Sequence, residues 1–452
     1  MEKLLRFMSS KKLLLISIIT LSLPAIVEMS LNTMLGVADT IMISQFIGKE
    51  ALSAVGFANQ IVFTLIFVFS SFNTGATALI SRAYGQKDYK KLMEVAEQSV
   101  VLNLIIGVLI ACLAYIFRSS IFQIYDISDV VFGNAVKYFT IILIGFVPMF
   151  LSFSYAAVLR GSGDTKTPMY ITGFVNILNI IGNYVLILGI GPFPELGIAG
   201  AALSTSISRS IAVMLYIYIL YIKDSKRKLK FELFLNRKII VPLWRISLPG
   251  AIEQALMQVS FVVIGVFVSQ LDTAAEATFR ILIQIESLSF MPAVGISIAT
   301  ATLVGKALGE NDIDKATETG YLSSSLGVVW GVLMGIVFLL IPGLILKAFS
   351  PDLSVISIGI IAMPLLAINQ PGLNFMIVMS GALRGAGDTT SVMVFTSLRL
   401  WAIFVPLSYV CIIMMNLGIV GIWYAEILSF IIFCTVIFFR FRSKKWAEVM
   451  VG

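Results

Sequence analysis

Twelve long apolar stretches, each nearly free of charge, follow one another along this chain, at 13–43, 51–81, 92–117, 131–158, 168–190, 197–222, 246–270, 275–304, 316–341, 353–382, 391–413 and 418–440. A helix that crosses a bilayer needs about 20 mostly apolar residues, because the hydrocarbon layer is about 30 Å thick. Several stretches are longer than that, which predicts helices that tilt, bend or project beyond the lipid. The runs are continuous, so a β-barrel, whose strands alternate apolar with polar residues, is excluded. A helix also satisfies its own backbone hydrogen bonds in lipid. The expected fold class is therefore an all-α membrane protein with twelve transmembrane helices. Composition agrees, with 58% of 452 residues hydrophobic and 13% charged; soluble domains average about 45–50% and about 25%.

The distribution of Lys and Arg predicts orientation. With the N-terminus in the cytoplasm, the inner segments collect Lys3, Arg6, Lys11, Lys12, Arg82, Lys87, Lys90, Lys91, Arg160, Lys166, the cluster from Lys223 to Arg245, Lys306, Lys315, Arg384 and the tail from Arg440 to Lys445. The outer loops hold only Lys49, Arg118 and Lys347. The net charge of +7 thus reads as a topogenic signal and as contact with anionic lipid, not as a nucleic-acid surface. Both termini are expected in the cytoplasm, and the protein in the cell membrane. Lys3 to Lys12 followed by an apolar run resembles a signal peptide. No A-x-A-like site follows, so the run is expected to be kept as the first span. There is no His, which removes imidazole bases, His metal ligands and His proton relays. Cys112, Cys411 and Cys434 stand singly in apolar runs and read as small buried hydrophobes.

The longest polar stretch, residues 223–238, falls where a linker between equal halves would lie. The chain repeats itself across it. LRGSGDT at 159–165 returns as LRGAGDT at 383–389, and TALISRAYGQKD (77–88) resembles ATLVGKALGEND (301–312), both at an offset of 224. LPAIVE (23–28) matches LPGAIE (248–253) one residue out of step. Six spans separate equivalent points, so both halves have the same orientation, related by a pseudo-two-fold axis along the membrane normal. The expected domains are a six-helix lobe over 1–222, a basic cytoplasmic linker over 223–245 and a second six-helix lobe over 246–452.

These residues carry a family likeness. Pro24, GVADTIM (36–42), RAYGQKD (82–88), RGSGDT, NILNIIGNY with PELGIAGAALST (176–205), the segment 280–309 and RGAGDT occur in order in both halves. Over nearly its whole length the chain resembles the MATE (multidrug and toxic compound extrusion) family of the MOP flippase superfamily. The resemblance implies a V-shaped pair of six-helix lobes and an antiporter, not an enzyme. Such a protein exports small amphiphilic, often cationic, drugs by alternating access, driven by inward flow of H⁺ or Na⁺. It has no cofactor beyond that ion, and the chain is expected to act as a monomer.

Charge inside a membrane is costly and marks function by default. The acidic candidates are Glu28, Asp39, Glu253, Glu286 and Glu426; the basic ones are Lys137, Arg209, Arg280 and Arg399. Glu28 and Asp39 lie about three turns apart on one helix face, and Pro24, one turn before Glu28, invites a kink. Asp39 has only apolar counterparts in the repeat, Val263 or Ile264, which argues against a role in architecture common to both lobes. Asn176, Asn179 and Asn183 share one face of the fifth span. By resemblance, Asp39, Asn179, Asn183 and Thr205 fall where some family members hold a coupling cation, H⁺ or Na⁺. Such members place an Asp where this chain has Asn183. Glu28 and Glu253 follow Pro24 and Pro249 by four residues, which fits either a shared structural hydrogen bond or paired cavity carboxylates. Glu286 is expected to face the cavity or to pair with Arg280. Met257, Met376 and Met379 suit an adaptable apolar cavity. Two other functions have residues to argue for them. An intramembrane aspartyl protease would use the G-x-G-D aspartates, Asp164 and Asp388, but helix capping explains that motif. A flippase for a lipid-linked saccharide would want a cavity rich in Arg and Lys for the pyrophosphate, and only four basic residues lie inside the spans.

Overall fold

The computed structural model describes residues 2–125, 127–223, 229 and 235–449, with the backbone alone for 2–10. Ten residues of the basic linker, 224–228 and 230–234, lie outside the described residues. Among the described residues there are helices and no strands. The first half contains α1 (Glu2–Phe46), α2 (Lys49–Ser70), α3 (Phe72–Gly85), α4 (Tyr89–Ile116), α5 (Arg118–Gln123), α6 (Asp129–Ile144), α7 (Phe146–Gly161), α8 (Lys166–Leu188) and α9 (Ile198–Ile217). The second contains α10 (Arg237–Val268), α11 (Thr273–Gly309), α12 (Ile313–Leu340), α13 (Pro342–Phe349), α14 (Leu353–Ala386), α15 (Thr389–Leu398), α16 (Val405–Tyr409) and α17 (Val420–Arg442). Eleven helical segments are long and apolar enough to cross a bilayer, and α6 with α7 makes a twelfth.

That twelfth span, read from the sequence as one run over 131–158, is bent by 48° between α6 and α7. The sequence between them is the single residue Gly145, whose amide bonds three residues back to Ile142 instead of four. The carbonyl of Ile141, passed over at the bend, accepts a hydrogen bond from Ser206 Oγ of α9 at 3.1 Å. A Cβ on Gly145 would stand 2.9 Å from Ser206 Cα, so glycine is what lets α9 reach the bend. Pro24, by contrast, lies inside a helix that runs unbroken from Glu2 to Phe46.

The chain forms two compact units: Met1–Ile26 with Leu248–Gly452, and Val27–Ser247. Their boundaries fall within α1 and within α10, not at the linker. The start of α1 is held in the 248–452 unit by close packing, since Gly295 of α11 leaves no room for a Cβ, which would lie 2.7 Å from Ile26 N. The start of α10 is held in the 27–247 unit by Ser247, whose Oγ donates to Phe72 O at 2.7 Å, and by Trp244 against Phe72.

Between helices surrounded by lipid there is little hydrophobic drive to associate, so close backbone packing does the work. Gly327, Gly331 and Gly335 form a stripe one turn apart on α12 against α14. A Cβ on them would lie 3.1, 2.6 and 2.7 Å from the carbonyl oxygens of Asn374, Gln370 and Ala367. Fully buried aromatics such as Trp423 and Trp446 fill the core of the same unit, while Leu13, Tyr170, Leu340 and Ile361 are among many large apolar side chains left exposed, as a lipid-facing surface requires.

Candidate functional site

Three helices of the 27–247 unit bring the expected polar residues together. Asp39 comes from α1, Asn179 and Asn183 from adjacent turns of α8, and Thr205 from α9. Asn183 Nδ2 donates to Asp39 Oδ1 at 2.6 Å, leaving Asn183 Oδ1 buried with no hydrogen-bond partner. With its nitrogen toward the carboxylate, the orientation that satisfies both ends of the amide, Asn179 donates to Asp39 Oδ1 at 3.1 Å and accepts from Thr205 N and Oγ1 at 3.2 Å. Ser204 Oγ also donates to Asn179 O at 2.9 Å, which ties α9 to α8. Asn176, the third member of the polar stripe, turns instead to α1 and donates to Leu31 O at 2.9 Å. Arg209 of α9 and Tyr138 of α6 lie close enough to interact electrostatically with Asp39. Tyr138 was not legible as a site residue, since a Tyr at the middle of an apolar run carries no periodic signal. Among the described residues no cluster of acidic or thiol side chains has the makeup of a metal centre, so any cation here would be met by one carboxylate and neutral oxygens.

A second buried polar centre lies in the 248–452 unit. Glu286 of α11 accepts from Gln370 Nε2 at 3.5 Å, Ser289 Oγ donates to Gln370 Oε1 at 2.7 Å, and Trp330 Nε1 donates to Ser289 O at 2.8 Å. Glu426 of α17 accepts from Asn369 Nδ2 at 2.8 Å. Arg399, buried in a π-helical turn over Arg399–Phe404, donates from Nη1 to Ser429 Oγ at 3.3 Å. Its guanidinium lies over the Phe430 ring, 4.5 Å from the centroid, and feels the charges of Glu426 and Glu286. A π turn of this kind often marks a functional position. The pairing of Glu286 with Arg280 does not form: Arg280 is exposed and pairs instead with Glu276, one turn earlier, at 2.7 Å. Met257 is partly buried against the apolar core of this unit, Met379 is fully buried and Met376 packs beside it.

Glu28 and Glu253 are buried, at 3% and 4% exposure, and each is held by its own unit. Arg160 Nη2 donates to Glu28 Oε1, as does Thr172 Oγ1 at 3.5 Å. Arg384 Nη2 donates to Glu253 Oε1 at 2.7 Å, as does Thr396 Oγ1 at 3.1 Å. The G-x-G-D turns differ from one another. Gly163 and Gly387 both take positive φ, 85° and 89°. Asp164 then caps α8, accepting from Thr167 N at 3.0 Å and Thr167 Oγ1 at 2.8 Å. Asp388 makes no cap bond and pairs with Arg440 Nε at 2.7 Å.

A sequence model of the family described as MatE matches residues 24–185 and 249–410, once in each half. The chain is 31% identical over 438 residues to a protein of Thermotoga maritima named "Probable multidrug resistance protein NorM", covering 95% of this chain and 93% of that one. It is also 31% identical over 438 residues to "Uncharacterized transporter YisQ" of Bacillus subtilis, with 96% and 95% covered. A solved structure of a MATE transporter in the bent conformation superposes with a TM-score of 0.89 at 23% identity, over 96% of this chain and 95% of that one.

Proposed function

The chain belongs to the MATE family of transporters, in the MOP superfamily, and on that premise we propose that it is a cation-coupled antiporter that expels small amphiphilic, often cationic, drugs and toxins by alternating access. The observation that carries this reading is the Asp39 cluster: one titratable carboxylate inside the membrane, held by Asn183 and met by Asn179 and Thr205 from two other helices. Asn179 and Asn183 both donate to the Asp39 carboxylate, as an unfilled, charged site needs. Arrival of H⁺ or Na⁺ from outside removes the charge that those donors serve and so exchanges these hydrogen bonds between α1, α8 and α9 for others. That exchange gives α1 two arrangements, and drug leaves toward the outside in one of them. With Asn183 neutral, Na⁺ would have a single carboxylate and otherwise only neutral oxygens in place of its water, whereas a proton needs the carboxylate alone; H⁺ is the favoured ion. The relative named a multidrug resistance protein supports drug export.

The rival flippase reading loses support from the four intramembrane basic residues. Lys137 is exposed, Arg280 is paired with Glu276, Arg209 is within electrostatic reach of Asp39, and Arg399 lies among carboxylates and phenyl rings. None joins another in an anion pocket. In proteoliposomes, an imposed pH gradient, inside acid or inside alkaline, and an imposed Na⁺ gradient should be compared for drug transport. Asp39→Asn keeps size and hydrogen bonding and should abolish gradient-driven efflux while equilibrium drug binding survives. Asp39→Asn vesicles that pump at the parental rate would place coupling elsewhere, with Glu286 and Glu426 next to test.

A further inference from the structure

The two glutamates that follow Pro24 and Pro249 have no part in the coupling scheme above, yet they are the most deeply buried carboxylates that the two halves share. Each belongs to a three-residue clasp: Glu28–Arg160–Thr172 in one unit and Glu253–Arg384–Thr396 in the other. All three members recur, the glutamates at an offset of 225 and the other two at 224. Each clasp joins the same three parts of its unit: a long helix, the arginine of the RGxGD turn, and a threonine on the helix after that turn. A carboxylate and a guanidinium removed from water are costly unless they are paired with good geometry, so two matching pairs argue for a mechanical requirement of both halves.

Their location says what the requirement is. The unit boundaries lie at Ile26/Val27 and at Ser247/Leu248, so each clasp grips its helix within a turn or two of where that helix enters the unit. Before the clasp, α1 and α10 belong to one packing unit; after it, they belong to the other. We propose that the two clasps are fixed points: each pins α1 or α10 to its own unit throughout the cycle, so that bending is confined to the segment before the glutamate. In α1 this matters doubly, because Asp39 lies about three turns beyond the pin and must stay in register with Asn179, Asn183 and Thr205 while the earlier part of the helix moves. Arg160 and Arg384 are positioning residues on this reading; they touch neither ion nor drug.

The inference rests on the transport reading but is tested by a measurement that does not need drug movement. In a Cys-free background, spin labels are placed at Val27 and Tyr170, and separately at Leu13 and Tyr170; the equivalent pairs are Ile252 with Val394 and Lys238 with Val394. All these positions are exposed. Distances are measured by pulsed EPR with and without drug, at acid and neutral pH, and with and without Na⁺. The expected result is that 27–170 and 252–394 hold one narrow distance under every condition, while 13–170 and 238–394 shift. The double variant Glu28→Gln/Arg160→Gln removes both charges, so no lone buried ion remains to unfold the protein. It should broaden 27–170, lower kcat for efflux about tenfold and leave KM within about twofold, as the loss of a coupling energy of ordinary size would do. The exchanged pair Glu28→Arg/Arg160→Glu should restore the narrow distance and most of kcat. A 27–170 distance that moves as much as 13–170, or an exchanged pair no better than the double glutamine variant, overturns the proposal. If the parental protein moves no drug under any gradient, the transport reading fails on that result alone, and the distances still decide whether the clasps are fixed points.

Discussion

Asn183 decides how much charge the Asp39 cluster can hold. Its Nδ2 donates to Asp39 at 2.6 Å, and its free Oδ1 is already an oxygen that a cation could use. Asn183→Asp would put a second carboxylate against the first. Without a cation the two repel, and hard cations favour sites with more charged oxygen. The variant should therefore melt lower than the parent in choline chloride and recover with NaCl, and its efflux should come to depend on a Na⁺ gradient. A melting curve indifferent to Na⁺ would show that the two side chains do not share an ion. The cluster was legible in the sequence only in part: Asn179 and Asn183 sit one turn apart and Asp39 is a charge in an apolar run, but it was the family resemblance that joined them to Thr205. The second centre was only half legible. Glu286, Arg399 and Glu426 each stand out as charges in apolar runs, but nothing in their spacing joins α11 to α17. Likewise the Arg280 pairing suggested for Glu286 was defeated by one turn of helix, because Glu276 sits at the right spacing on the exposed face. For the centre itself, Glu426→Gln and Glu286→Gln should alter cationic-drug efflux alike if Arg399 balances both, and an effect of only one of them on a matched set of cationic and neutral drugs would separate their roles.

Hydropathy places helices well and their breaks poorly. It registers how apolar a segment is, and Gly145 is as acceptable in an apolar run as any other small residue; the bend there depends on Ser206, more than sixty residues later. Close packing is equally hidden, because a glycine stripe shows its purpose only when the facing helix is known. Gly331→Ala would set a methyl 2.6 Å from the Gln370 carbonyl and should cost about 1–3 kcal/mol, read as a lower melting temperature in detergent. Gly265→Ala, on α10 with nothing within 4 Å, should be neutral or raise it. At the start of α14, Asp352 accepts from Ser354 N and Ser354 Oγ, and those bonds hold its carboxyl below the usual range. A depressed carboxyl stabilises the helix end above its ordinary range and loses that effect as pH falls through the lowered one. Hydrogen exchange at the first turn of α14, corrected for intrinsic rates, should accordingly stay slow through mildly acid pH and quicken only below the ordinary carboxyl range. Quickening already at mildly acid pH would mean that the cap does not depend on the ionised side chain.

For the molecule as a whole, the internal repeat is the most informative thing the sequence holds, and the family match falls on it twice. The handover of α1 and α10 from one unit to the other was not legible, because the repeat shows where the halves resemble one another, not which half each helix end packs against. The proposed orientation puts both termini and residues 223–245 in the cytoplasm. With Cys112, Cys411 and Cys434 replaced, a single Cys at Ser350 should react with an impermeant thiol reagent added to intact cells, and one at Ser225 should react only after lysis; labelling at 225 from outside reverses the orientation. The charge count of the Asp39 cluster reaches further still. On the proposed coupling, one ionisable side chain among four lets the site carry at most one monovalent cation inward per turn. Exchange for a singly charged drug is then electrically silent, and only the ion's concentration difference drives it. Exchange for an uncharged drug moves one net charge inward, so the membrane voltage adds about 2.3 kcal/mol per 100 mV. The same protein should therefore concentrate neutral compounds more steeply in polarised cells, and lose that advantage when the voltage is collapsed with an ionophore.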